Sequence, residues 1–143
     1  MIIIRPAEIT DSNLTSNVTE TYSAWSSVTA YTSASAPVTY NQSVYQAIAN
    51  TTNNNPETDP AAATYWTRIE PMNKWAMFDT QTSTVSTRAS NITVTVQPSG
   101  TADSVALFYV SAAAVNVTVS DGVDEYYNED FSLTDNSGIE DWY

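Results

Sequence analysis

The chain has no cysteine and no histidine, and only 4 of its 143 residues are lysine or arginine. Without cysteine there are no disulfides and no thiolate metal sites. Without histidine the commonest general base, the imidazole metal ligand and any Ser-His-Asp arrangement are gone. Four basic residues against 16 acidic ones give a net charge of −12. Nucleic acid and anionic membrane surfaces both need clustered lysine and arginine, so neither is an expected partner. No apolar run approaches the ~20 residues of a membrane helix. Met1–Pro6 has too short an apolar part, and no positive segment before it, for a secretory signal, so the chain is expected to work without its own export signal. Glycine is also scarce, at three residues.

What is abundant is Thr, Val, Tyr, Ser and Asn. Thr, Val and Tyr suit pleated, half-buried surfaces, while the helix formers Leu and Lys are rare. The expected fold class is therefore all-β: a small three-stranded module with an aromatic core, followed by a β-sandwich of jelly-roll or galactose-binding-like type. Four segments are expected. An N-terminal strand (Ile2-Ile3-Ile4) and extended connector occupy 1–23, the aromatic module 24–71, the sandwich 72–127, and an acidic tail 128–143.

In the module, Val38, Tyr40, Val44 and Tyr45 flank a turn at Asn41-Gln42-Ser43 and predict a hairpin. Asn50 to Ala62 is a Pro-punctuated polar loop, and Tyr65 to Ile69 reads as the closing strand. In the second unit, Ile92 to Val96 alternates strictly, and Val105 to Val110 is a continuous apolar run expected to be a strand covered on both faces. Val115 to Val119 alternates again. Asp121-Gly122 is a hairpin turn, with Glu125-Tyr126-Tyr127 as the return strand.

The residues Ala24-Trp25-Ser26-Ser27, Tyr31, Val38-Thr39-Tyr40-Asn41, Val44-Tyr45-Gln46-Ala47, Asn55-Pro56 and Tyr65-Trp66 together resemble the small chitin-binding carbohydrate module of families five and twelve. Where that family has glycine after its Tyr-Asn turn, this chain has Gln42. The resemblance implies rings that stack on sugars. Trp25, Tyr31 and Trp66 are the candidate platforms, with Asn41 and Gln42 as hydrogen-bonding partners for hydroxyls. The competing expectation is that Tyr40, Tyr45 and Trp66 are simply core. Joined to the string Asn73-Lys74-Trp75-Ala76-Met77-Phe78-Asp79 and a Val-rich β unit, the module resembles a tail-associated structural protein of tailed bacteriophages. That resemblance implies a virion component built of homo-oligomers, with other virion proteins and a host surface glycan as partners. The alternative is a carbohydrate-binding module of a receptor-binding or glycan-degrading protein.

No catalytic constellation, metal site or cofactor is expected. Asp121, Asp124 and Glu125 could gather a cation, but their spacing fits no calcium loop and a solvated acidic face is the plainer expectation. In the Asn73–Asp79 string, Trp75 and Met77 are expected in the core and Asp79 in a turn.

Overall fold

The computed structural model describes residues 7–79, 81, 83–102 and 104–133. The expected first strand Ile2–Ile4 and the tail beyond 133 lie outside the described residues. The chain divides into two compact units, Met1–Thr101 and Ala102–Tyr143. The strands are β1 (Leu14–Ser16), β2 (Ala30–Tyr31), β3 (Val38–Tyr40), β4 (Ser43–Ala47), β5 (Thr51–Thr52), β6 (Trp66–Pro71), β7 (Val94–Val96), β8 (Ala114–Ser120) and β9 (Glu125–Ser132). Among the described residues, one short helix, α1 (Ala62–Tyr65), and a single 3-10 turn at Ala76–Phe78 are the helical pieces. The protein is all-β, as its composition requires.

The first unit is built on the antiparallel sheet β3-β4-β6. β4 lies in the middle, and Ser43, Val44, Tyr45 and Ala47 are all buried. The β3–β4 hairpin pairs Val38 with Tyr45 and Tyr40 with Ser43. Its loop is therefore two residues long, with Ser43 already in the strand. Asn41 and Gln42 both have positive φ, 41° and 67°. This is the geometry of a tight hairpin turn matched to strand twist, and only its first residue is of a type that tolerates it. Gln42→Gly removes the strain at the second position, so the unit is expected to gain about 1 kcal/mol of stability, read as a higher melting temperature.

β6 runs alongside β4, with an irregularity between Val44 and Tyr45: Val44 faces Glu70 and Tyr45 faces Arg68. Ile69 is the extra residue of this bulge and is exposed. Bulges and charged residues are the ordinary guards of a sheet edge. On one side of the sheet, Tyr31, Val38, Tyr45, Ala47 and Trp66 form the core, with Trp25, Tyr40 and Tyr65 packed at its margin.

The sequence expected this unit to end near Pro71. It runs instead to Thr101, because β7 pairs with β1 in the N-terminal connector: Leu14 with Val96, Thr15 with Thr95, Ser16 with Val94. Leu14 and Val18, read in the sequence as isolated apolar residues, are buried there. Asn17 reinforces the pairing by accepting the Thr93 N–H through its side chain at 2.8 Å.

The second unit differs more from expectation. Val105–Val110 forms no strand, and its residues are exposed. A short apolar run does not specify a strand by itself; it needs neighbours to pair with. Instead of a sandwich, the described residues of the unit carry one antiparallel hairpin, β8–β9. Among the described residues these two strands pair with no other. The return strand is longer than expected and takes in 128–132, assigned from sequence to the acidic tail. Asn116 explains part of this: its side-chain amide donates across the ladder to Asn128 Oδ1 and to Asp130 Oδ1, both at 2.9 Å. At the turn, Gly122 has φ of 93°, and Asp121 accepts the N–H groups of Val123 and Asp124 and the Tyr126 hydroxyl. The Tyr126 hydrogen bond, followed by the backbone ones, holds the Asp121 carboxyl down at about 2.

Candidate functional site

The five residues singled out as sugar-facing do not share one surface. Trp66 follows directly on α1, and its ring lies 4% exposed against Tyr31, centroids 5.1 Å apart at 65°. Its indole N–H donates to the Asn54 carbonyl at 2.9 Å. Tyr31 is also buried, held in β2 by pairing with Thr51, and its hydroxyl accepts the Ser26 N–H at 2.8 Å. These rings give their faces and their polar ends to the fold. A buried ring has no face free for a pyranose.

Trp25 is different. Its backbone is fixed beside β3: the Trp25 N–H donates to Thr39 O, and Thr39 N–H donates to Ser23 O, both at 2.9 Å. The side chain is half-buried and meets Tyr40 edge to face, centroids 5.8 Å apart at 85°. Its indole nitrogen is enclosed and has no hydrogen-bond partner, alone in this respect among the described residues. Of the three candidate platforms, Trp25 keeps the most accessible ring.

Asn41 and Gln42 form the hairpin turn. Gln42 contributes its backbone carbonyl to the Met72 N–H, and the Asn41 side chain donates to Glu57 at 2.6 Å. Glu57, which sequence reasoning passed over, also accepts the Tyr45 hydroxyl through its other oxygen. One carboxylate thus joins the β3–β4 turn to the centre of β4. Burial, with the Glu57 carboxylate adding to it, pushes the Tyr45 phenol up to about 12. A raised phenol stabilises the fold fully below its unfolded value of 10.0, and that contribution is lost as pH climbs from there toward 12. Wild type is therefore expected to lose about 2 kcal/mol more than Tyr45→Phe across that interval, in urea unfolding at matched pH.

The Asn73–Asp79 string is a staple. Asn73 donates through its side-chain amide to the carbonyls of Thr19 and Thr87, at 3.1 and 2.8 Å, and accepts the Thr87 N–H at 2.8 Å. The Glu20 carboxylate receives the N–H groups of Asn73 and Lys74. Lys74 pairs with Asp11 at 3.1 Å and sits 4.8 Å from the Trp75 ring centroid. Trp75 and Ala76 are buried, while Met77 is only half so. Met77, expected in the core beside Trp75, is instead turned partly outward by the 3-10 turn at Ala76–Phe78. Asp79 caps a turn as expected, accepting the Gln81 N–H and the Thr84 hydroxyl.

Two shallow grooves of about 320 and 400 Å3 lie on this unit and share Thr21 and Tyr22. The first is lined by Glu20, Glu70, Asn73 and Thr84 among others. Glu20, Asn73 and Thr84 are already engaged in the hydrogen bonds above, so the lining is committed to structure. No family model, no curated protein and no solved structure matches this chain.

Proposed function

We propose that the protein is a non-enzymatic structural component of a tailed-bacteriophage virion, in the tail, baseplate or head–tail region, acting through contacts with other virion proteins and with copies of itself. The observation that carries this reading is the second unit. It leaves large apolar side chains in solvent, with Phe108 79% and Tyr109 75% exposed ahead of the hairpin and Val123 91% exposed at its turn. A two-stranded hairpin is marginal by itself, and monomeric proteins rarely leave this much apolar surface uncovered. Such a unit makes physical sense as one half of a contact. The sparsely charged, Ser- and Thr-rich remainder of the chain suits close packing against neighbours.

Mass spectrometry of purified particles tests the reading. The chain is expected at a fixed copy number per particle, and its absence from intact particles would overturn the assignment. A second reading, a glycan-binding module, draws on the half-buried Trp25–Tyr40 pair. Binding of the chain to a glycan array that is lost in Trp25→Ala, with the melting temperature held, would favour it.

A further inference from the structure

The β8–β9 ladder sorts its side chains cleanly. Val115 faces Phe131, Val117 faces Glu129 and Val119 faces Tyr127. These six lie on one face, because residues two apart along a strand point the same way. The opposite face carries Asn116, Thr118, Asn128 and Asp130, tied by hydrogen bonds among themselves. One face is thus polar and satisfied. The other is an apolar stripe with a single charge, and among the described residues no strand or helix of this unit covers it.

We propose that this stripe, together with the other exposed apolar side chains of the unit, is the contact between two copies of the chain, laid face to face. The proposal deepens the structural reading above and rests on it for its biological setting. Two observations select a second copy over a different partner. The first is area. Ten large apolar side chains of the unit are at least 41% exposed, Tyr127 and Phe131 on the stripe and eight elsewhere in the unit, so the unit as a whole leaves on the order of 1,000 Å2 of apolar surface, against roughly 800 Å2 that a stable interface takes from each partner. The second is where the charge lies. Of the five described acids in the unit, Asp121, Asp124 and Glu125 are at the hairpin tip and Asp130 is on the polar face. A basic partner would read acids on the docking face, and only Glu129 is there. A valine row flanked by Tyr127 and Phe131 is complementary to itself without any opposite charge. Stacking also converts two marginal ribbons into two packed layers, the arrangement that makes such strands stable.

Glu129 is the weak point of this contact. The Tyr127 hydroxyl donates to it at 2.8 Å, but stacking still takes its carboxylate out of water. The test is sedimentation equilibrium of the full chain. Wild type is expected to self-associate, and more tightly at high salt, since screening relieves repulsion between two chains of net charge −12. Val117→Asp is expected to weaken association at least 100-fold. Glu129→Gln, which keeps the shape and removes the charge, is expected to tighten it about tenfold, a gain that misfolding does not imitate. A wild-type monomer at all concentrations, an oligomer indifferent to Val117→Asp, or weaker association in Glu129→Gln would each overturn the proposal. Association that weakens with salt would point to a charge-driven contact and overturn it too. Self-association through this face by a chain missing from particles would keep the contact and remove the virion reading.

Discussion

Trp66→Ala is expected to lower the unfolding free energy of the first unit by about 3–5 kcal/mol, the usual cost of emptying a buried indole site. The ring is 4% exposed, meets Tyr31 edge to face, and ties α1 to the 50s loop through its N–H. Removing it opens a cavity where Tyr31, Val38, Tyr45 and Ala47 converge and leaves the Asn54 carbonyl without its donor. Urea unfolding followed by the remaining tryptophans measures the loss. A change below about 1 kcal/mol would mean the ring is peripheral, and would return Trp66 to the list of sugar platforms.

Asn73→Ala is expected to cost about 2–3 kcal/mol, from three side-chain hydrogen bonds of about 0.5–1.5 kcal/mol each with partial relief by water. All three go to backbone groups, of Thr19 and Thr87, which are far apart in sequence. The effect should therefore be felt at the β1–β7 pairing. Faster hydrogen exchange at 14–17 and 94–97 is expected, with 38–47 unchanged below the global transition. Asn73→Asp keeps the acceptor for the Thr87 N–H but loses both donors, so it is expected to recover only a minor part. Full recovery by aspartate would show that the two carbonyl contacts contribute nothing.

Much of the first unit was legible in the sequence because its signals are local. Val38-Thr39-Tyr40 and Val44-Tyr45 flank a turn residue that tolerates positive φ, and this suffices for a hairpin. The β8–β9 turn was legible for the same reason, through Asp121-Gly122. The β1–β7 pairing joins strands some eighty residues apart and carries no local mark. Leu14 and Val18 looked solitary because their partners lie at the far end of the unit. Val105–Val110 misled in the opposite direction, since an apolar run announces burial without supplying what buries it.

The site was legible in residue type and not in role. The spacing of Trp25, Tyr31 and Trp66 picked out an aromatic cluster, but stacking on a sugar and stacking on another ring ask for the same side chains. Only the register, Tyr31 against Thr51 and Ala47 against Trp66, decides which rings turn inward. Glu57 and Asn73 left no periodic signature. They act on groups brought near by the fold, Glu57 on Asn41 and Tyr45, and Asn73 on Thr19 and Thr87.

The central claim is that one unit of this chain is complete by itself and the other is completed by company. Hydrogen exchange of the full chain, read by mass spectrometry over a wide range of protein concentration, tests this most directly. Amides of 38–47 and 66–71 should be protected at every concentration, while those of 114–120 and 125–132 should exchange freely when dilute and become protected as concentration rises. Equal, concentration-independent protection of both hairpins would contradict the account.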